Sequence, residues 1–339
     1  MRLSLLLLLA ALMGFAPAWG QEKAKTLGTI ERLDPALDKL IPKDAKLEIL
    51  AGGFIWTEGP VWIKHDGFLA FSDIPNNVVN MWDPQTKKVT LFIKNSGYTG
   101  AKPRGGKPGD EPGSNGLMLD AQGRLTLCEH GDRRVTRIEK DGKKTVLADK
   151  YMGKRLNSPN DLVYHSNGDL YFTDPPYGME KQWDDPAREL DFCGVYRRSK
   201  DGTLTLLTKE MTRPNGITFS PDEKTLYVAN SDPALAIWKA FPVKADGTLG
   251  EGKVFFDTTS WVGKKKGLPD GMKVDQAGNL FATGPGGVLI LTPAGKHLGT
   301  IATGVNTANV AFGEDGMTLF VAADHDICRI RLSTKGRGF

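Results

Sequence analysis

EGPVWIKHDGFLAFSD, residues 58–73, is the stretch whose reading decides the fold. It holds a carboxylate, a small residue, an apolar-alternating run, an Asp-Gly turn and a second such run. Period-two alternation over four to eight residues marks a half-buried strand, so the stretch predicts a β-hairpin. The same arrangement returns as NGLMLDAQGRLTLCEH from Asn115, NDLVYHSNGDLYFTD from Asn160, NGITFSPDEKTLYVAN from Asn215 and DGMKVDQAGNLFATG from Asp270. A degenerate copy, ANVAFGEDGMTLFVAAD, begins at Ala308. Counting back four from Phe312 makes Ala308 the sixth lead residue, with Asn309 one residue off.

Further strand pairs lie between the copies, such as residues 77–82 with 89–92 and 194–197 with 204–207. Each unit therefore holds about four antiparallel strands. Six such units, with leads 38 to 57 residues apart, predict an all-β fold, a six-bladed β-propeller spanning residues 46–333. Ring closure is expected from Leu47–Leu50 pairing with the strand near Ile327–Leu332. Residues 21–45 read as an N-terminal packing segment, with Ile30, Leu33, Leu37 and Leu40 at a loose helical spacing that Pro35 interrupts. Residues 334–339 read as a tail. Two insertions stand out: the Gly/Pro/Lys-rich Gly100–Ser114, expected to be a mobile loop, and Met179–Asp191.

The 339 residues include 40% hydrophobic and 25% charged, an ordinary globular balance, and 40 Gly with 20 Pro fit many turns. A net charge of +4 with no basic, aromatic-interleaved stripe gives no nucleic-acid footprint. Residues 1–20 carry Arg2, a Leu/Ala-rich core and small residues toward Gly20. They read as a signal peptide, which implies export to the periplasm or beyond. That core is short for a membrane span, and no second apolar stretch could cross a bilayer, so no membrane contact is expected after cleavage. Cys128, Cys193 and Cys328 follow no metal-binding spacing; one pair plus a free thiol is allowed in an oxidising compartment, but Cys128 and Cys328 sit in apolar strand patterns and read as buried small hydrophobes. Whether the protein is a monomer or a dimer stays open.

In a propeller the innermost strand of each blade lines the central channel. The side chains of Glu58, Asn115, Asn160, Asn215 and Asp270 should then converge at one channel mouth. Asn-Gly and Asp-Gly are also ordinary turn dipeptides, but Glu58 is a poor turn former and has no local reason for its place. Two carboxylates and several amide oxygens, with no His or Cys among the leads, form a hard-oxygen set. It suits Ca²⁺ first, Mg²⁺ or Mn²⁺ next and Zn²⁺ least. An open cation there can polarise a carbonyl. The second strands end on the same face, placing His130 and Asp174 at the rim, with Tyr177 of Asp174-Pro175-Pro176-Tyr177-Gly178 as a wall. His130 as a satisfied structural imidazole, and Pro-Pro-Tyr as a self-packed turn, are the competing readings. No P-loop, nucleophile elbow or dinucleotide fingerprint is present in the sequence.

With these residues in place, the chain resembles the gluconolactonase/regucalcin family of six-bladed propellers. The match is carried by Glu58-Gly59-Pro60-Val61-Trp62, Cys128-Glu129-His130-Gly131, Asn157-Ser158-Pro159-Asn160-Asp161, Asp174-Pro175-Pro176-Tyr177-Gly178, Pro214-Asn215-Gly216-Ile217 and Pro269-Asp270-Gly271-Met272. The Ser-Pro-Asn-Asp and Asp-Pro-Pro-Tyr-Gly pieces resemble its bacterial gluconolactonase branch. The resemblance implies a divalent metal, usually calcium, on Glu58, Asn215 and Asp270, with Asn160 beside it touching substrate or completing the shell. It also implies that Asp270 is the base that activates water against a sugar lactone, although an ionised water on the metal could serve instead. Asn115 and His130 are the expected contacts to substrate hydroxyls. Two alternatives remain: an esterase or phosphotriesterase of the same build, and a non-catalytic binding propeller with a structural metal.

Overall fold

A computed structural model describes residues 25–339; the expected signal peptide, residues 1–20, lies outside the described residues. The alternating stretches form six antiparallel sheets arranged as a β-propeller. The hairpins identified in the sequence supply the inner two strands of each blade. In blade one these are Thr57–Ile63 and Phe68–Asp73, followed outward by Val78–Asp83 and Lys88–Lys94. The inner strands of blades two to six are Ser114–Leu119, Leu162–Tyr164, Pro214–Phe219, Met272–Val274 and Thr307–Gly313.

Blade six closes the ring as the sequence implies. Its three C-terminal strands are completed by Glu48–Gly52, which pairs antiparallel with Asp326–Arg331. Blade five gains an extra outer strand, Thr29–Arg32, on the strand His297–Ala302. Ile30 thus lies in a strand, where its spacing suggested a helix. Here the helix is a five-residue 3₁₀ segment, Pro35–Lys39, capped by Asp34, whose carboxylate accepts from the Ala36 amide at 2.8 Å. Proline tolerates only the first helical turn, and the open edge of blade five supplies a ladder for the residues before it. Leu37 and Ile41 then drop into the core shared by blades five and six.

The cores lie between adjacent blades, where apolar side chains of neighbouring sheets interleave. Trp62 stacks on Phe320 with ring centroids 5.6 Å apart, joining blades one and six, and Tyr171 meets Phe219 edge-on at 4.9 Å, joining three and four. Cys128, Cys193 and Cys328 are buried free thiols. The expected mobile loop at residues 100–114 is tied down at several points. Gly106 and Gly113 donate to the carbonyls of Pro75 and Ile74 at 2.7 and 3.0 Å, and Arg104 donates to the Gly178 carbonyl at 2.9 Å.

Candidate active site

The lead residues stand where each inner strand begins, and there the pairing slips. The ladder jumps between Glu58 and Val61, Ser114 and Leu117, Pro214 and Ile217, and Thr307 and Asn309. A bulge of this kind kinks a strand and re-aims a side chain. Here it turns the leads toward the axis. Asn-Gly and Asp-Gly are therefore strand starts rather than turns. Their glycines make room for neighbouring inner strands: a Cβ on Gly216 would lie 2.2 Å from the Asp270 carbonyl oxygen. Hydrogen bonds between blades fix the spacing. Ser72, Thr173 and Thr283 hydroxyls donate to the carbonyls of Asn115, Asn215 and Ala308 at 3.0, 2.7 and 2.8 Å. The Gly116 and Gly271 amides donate to Asn160 and Ala308, each at 2.8 Å.

This places Glu58, Asn115, Asn160, Asn215 and Asp270 together on a cavity of about 410 Å³, with Tyr177 on its wall. The first four side chains are buried. Asp270 is partly open to the cavity, yet its Oδ1 is buried and without a partner among the described residues, as are Asn115 Oδ1, Asn160 Oδ1 and the Tyr177 hydroxyl. The Asn215 amide is oriented by a hydroxyl. Ser231 Oγ gives its one proton to the Pro269 carbonyl, so it must accept from Asn215 Nδ2 at 3.1 Å. Asn215 Oδ1 is thereby left for the cavity.

Burial, then repulsion from Glu58, Asp161 and Glu111, drives the Asp270 carboxyl well above the usual range. Burial chiefly, with Asp161 adding, does the same to Glu58. Buried carboxylates repelling one another beside unpartnered amide oxygens are a set that a divalent cation would satisfy. Glu58, Asn160, Asn215 and Asp270 fit such an ion, and an all-oxygen set suits calcium, magnesium or manganese. Among the described residues no three His, Cys, Asp or Glu side chains cluster as a ligand group, so the amides are essential to any such site.

A second ring sits one residue beyond the leads: Gly59, Gly116, Asp161, Gly216, Gly271 and Asn309. Only blades three and six break the glycine pattern. Asn309, rather than the lead Ala308, carries the polar group of blade six, and its Nδ2 donates to Glu58 Oε2 at 3.1 Å. Its Cγ occupies space that any Cβ on Gly271 would invade at 2.0 Å. Asp161 is buried, with its carboxyl raised by burial against the opposing pull of Lys273. Its presence was readable as Asn160-Asp161 standing where four other copies carry glycine in second place.

Two expected site residues do not reach the cavity. Asp174 is fully buried, and its carboxylate accepts from the amides of Asn157 and Ser158 at 2.8 and 2.7 Å, stapling the Asn157-Ser158-Pro159-Asn160 approach to the ring. Burial raises it to about 7 against those two donors. His130 is also fully buried, behind Glu111, with Nδ1 3.3 Å from Glu111 Oε2. The ends of the second strands differ from blade to blade: Ser231 borders the cavity, whereas Asp174 is spent on the Asn157 and Ser158 amides and His130 is covered by Glu111. Sequence reasoning missed the residues that do border the mouth: Glu111, Arg213 and Lys265. Arg213 lies over the Trp183 ring at 4.3 Å and Lys265 over Trp261 at 4.7 Å. They belong to loops with no repeat, so periodicity gave no signal for them.

The family model described as SMP-30/Gluconolactonase/LRE-like region matches residues 56–325. The gluconolactonase of Zymomonas mobilis is 40% identical over 321 residues, covering 92% of this chain and 88% of that one. The solved structure of a gluconolactonase from Xanthomonas campestris superposes with a TM-score of 0.77 at 31% identity, covering 92% of this chain and 99% of that one. A regucalcin from Agrobacterium tumefaciens, described as a calcium-binding protein, superposes with a TM-score of 0.64 at 19% identity, covering 86% and 94%, a likeness of fold.

Proposed function

Since the chain belongs to the SMP-30/gluconolactonase/LRE-like family, we propose that it is a metal-dependent hydrolase that opens a sugar lactone to its aldonic acid. The observation that carries this reading is the convergence of two mutually repelling carboxylates, Glu58 buried and Asp270 partly open, with amide oxygens unpartnered among the described residues, on one cavity. The cavity volume lies within the usual ~300–1,000 Å³ of small-molecule sites.

Glu58, Asn160, Asn215 and Asp270 would hold the cation. When bound, a divalent cation supplies Lewis-acid polarisation of the lactone carbonyl. Asp270 is the general base. Among the described residues its Oδ1 has no partner, and it borders the cavity, so an oxygen is free to accept a proton. It takes the proton of an attacking water as the new C–O bond forms at the carbonyl carbon. The ring C–O bond then breaks, and the same proton passes to the departing alkoxide, giving the hydroxy acid. Asn115 and Tyr177 contact the substrate from the cavity wall, while Asn309 holds Glu58 in place through its amide donor. We also take the enzyme to be exported, on the Arg2 and Leu-rich start of the chain; an unprocessed N-terminus on protein recovered from the native host would overturn that.

The test is a panel of aldonolactones, simple esters and phosphotriesters, each with and without chelator. Sugar-lactone hydrolysis that stops on chelation and returns with calcium supports the reading. Asp270→Asn should remove activity by about 10²–10⁴-fold while leaving the fold intact. Full lactonase activity in that variant would sink the mechanism.

A further inference from the structure

We infer that Glu111, backed by His130, is a specificity-determining residue that accepts hydrogen bonds from the hydroxyl groups of the substrate, so that the site selects polyhydroxylated lactones over bare ones. This rests on the lactonase reading and names the substrate class within it.

Three segments converge to build the feature. Glu111 stands on the loop inserted between blades one and two, which Arg104 ties to the Gly178 carbonyl at 2.9 Å. Gly178 ends the Pro175-Pro176-Tyr177-Gly178 wall, and a Cβ there would fall 2.3 Å from His130 Cβ. His130 thus fills space that a glycine keeps clear, fully buried, with neither ring nitrogen in a hydrogen bond among the described residues. Its Nδ1 faces Glu111 Oε2 at 3.3 Å.

The Glu111 carboxylate borders the same cavity as Glu58 and Asp270. Among the described residues no three acidic, His or Cys side chains cluster as a metal-holding group, so Glu111 does not complete a carboxylate cage with those two. It also has no hydrogen-bond donor among those residues. The cations at the mouth are engaged elsewhere: Arg213 on Trp183, and Lys265 on Trp261 with Glu31 Oε2 at 3.7 Å. A carboxylate offers acceptors only, so a ligand that covers its cavity side must bring donors to replace the water it displaces. Asn115 Oδ1, an unpartnered acceptor on the same cavity, has the same need. A polyol brings several O–H donors at once. A hydroxyl-free lactone brings none, and leaves these acceptors desolvated and unpaired.

The experiment compares D-glucono-1,5-lactone with δ-valerolactone on the metal-loaded wild type, Glu111→Ala and Glu111→Gln. Glu111 is surface-borne, a quarter exposed, so both variants should fold, which thermal unfolding verifies. Loss of a hydrogen bond to a charged group should raise KM for the sugar lactone by about 10- to 100-fold with kcat within a few-fold. Values for δ-valerolactone should stay near wild type. Calorimetric titration with D-gluconate reads the same contact without turnover and should weaken by a similar factor. His130→Phe, which keeps the ring but removes Nδ1, should shift KM in the same direction by less. An unchanged KM with a fallen kcat, or equal losses on both lactones, would overturn the inference. A wild type that turns over neither lactone would instead defeat the lactonase reading, and gluconate binding would still judge Glu111.

Discussion

Gly216→Ala is a one-methyl change that should disable the site without replacing any of its functional side chains. The Gly216 backbone is not in the left-handed region, so alanine meets no conformational objection there. The objection is steric. The new Cβ would lie 2.2 Å from the Asp270 carbonyl oxygen, where real Cβ atoms stay beyond 3.0 Å, so the two strands must part by at least about 0.8 Å. The Asp270 segment cannot yield freely: its amide donates to Thr283 at 2.9 Å, and the Gly271 amide donates to Ala308 at 2.8 Å. Overpacking of this kind costs ~1–3 kcal/mol. At roughly 2–4 °C per kcal/mol in a domain of this size class, Tm should fall several degrees. Displacing the base and a ligand oxygen by nearly an ångström should cost on the order of 10²-fold in kcat/KM. Lactone hydrolysis is followed by acid release, with Tm measured on the same preparations. Gly123→Ala is the control: its φ is +76° with nothing within 4 Å, so it should lower Tm modestly and spare activity. Wild-type kcat/KM in Gly216→Ala would refute the close-packed ring of inner strands on which the site geometry depends.

The metal-free protein should lose stability as pH rises. The folded-state pKa values of Glu58 and Asp270 are raised above ordinary carboxyl values, so the native state holds their protons more tightly than the unfolded chain. That stability is complete below the unfolded pKa values near 4 and is lost as pH climbs through the raised ones. The Tm increment from added calcium should therefore grow from pH 5 to pH 8.5 in a chelator-controlled melt; an increment that shrinks over that range would contradict the paired-carboxylate site. Asp174→Asn leaves a buried backbone amide of Asn157 or Ser158 without its acceptor, at a cost of ~1–3 kcal/mol. It should lower Tm while KM for a sugar lactone holds, and a large KM change at unaltered Tm would return Asp174 to the substrate surface.

The repeat was legible because each blade uses the same local physics. Alternation with a period of two, a turn dipeptide and a lead residue in register are enough to specify a hairpin, its innermost strand and the side chain at its start. Six such copies determine the propeller, its closure by a strand beginning near residues 47–50, and the meeting of Glu58, Asn160, Asn215 and Asp270. The resemblance to gluconolactonases rested on the same residues. Tertiary structure alone decided the rest. Asn309 replaces Ala308 as the polar group of blade six because the strand bulge, and not the count from Phe312, sets which side chain faces the axis. Asp174 is held away from the cavity by the Asn157 and Ser158 amides, and His130 by its place behind Glu111, partners that a strand pattern does not reveal. Glu111, Arg213 and Lys265 arrive on aperiodic loops whose path is fixed by contacts with distant carbonyls and rings. Periodicity records which residues share a strand face; it carries no information about loops that cross between blades, and those loops shape the mouth of the site.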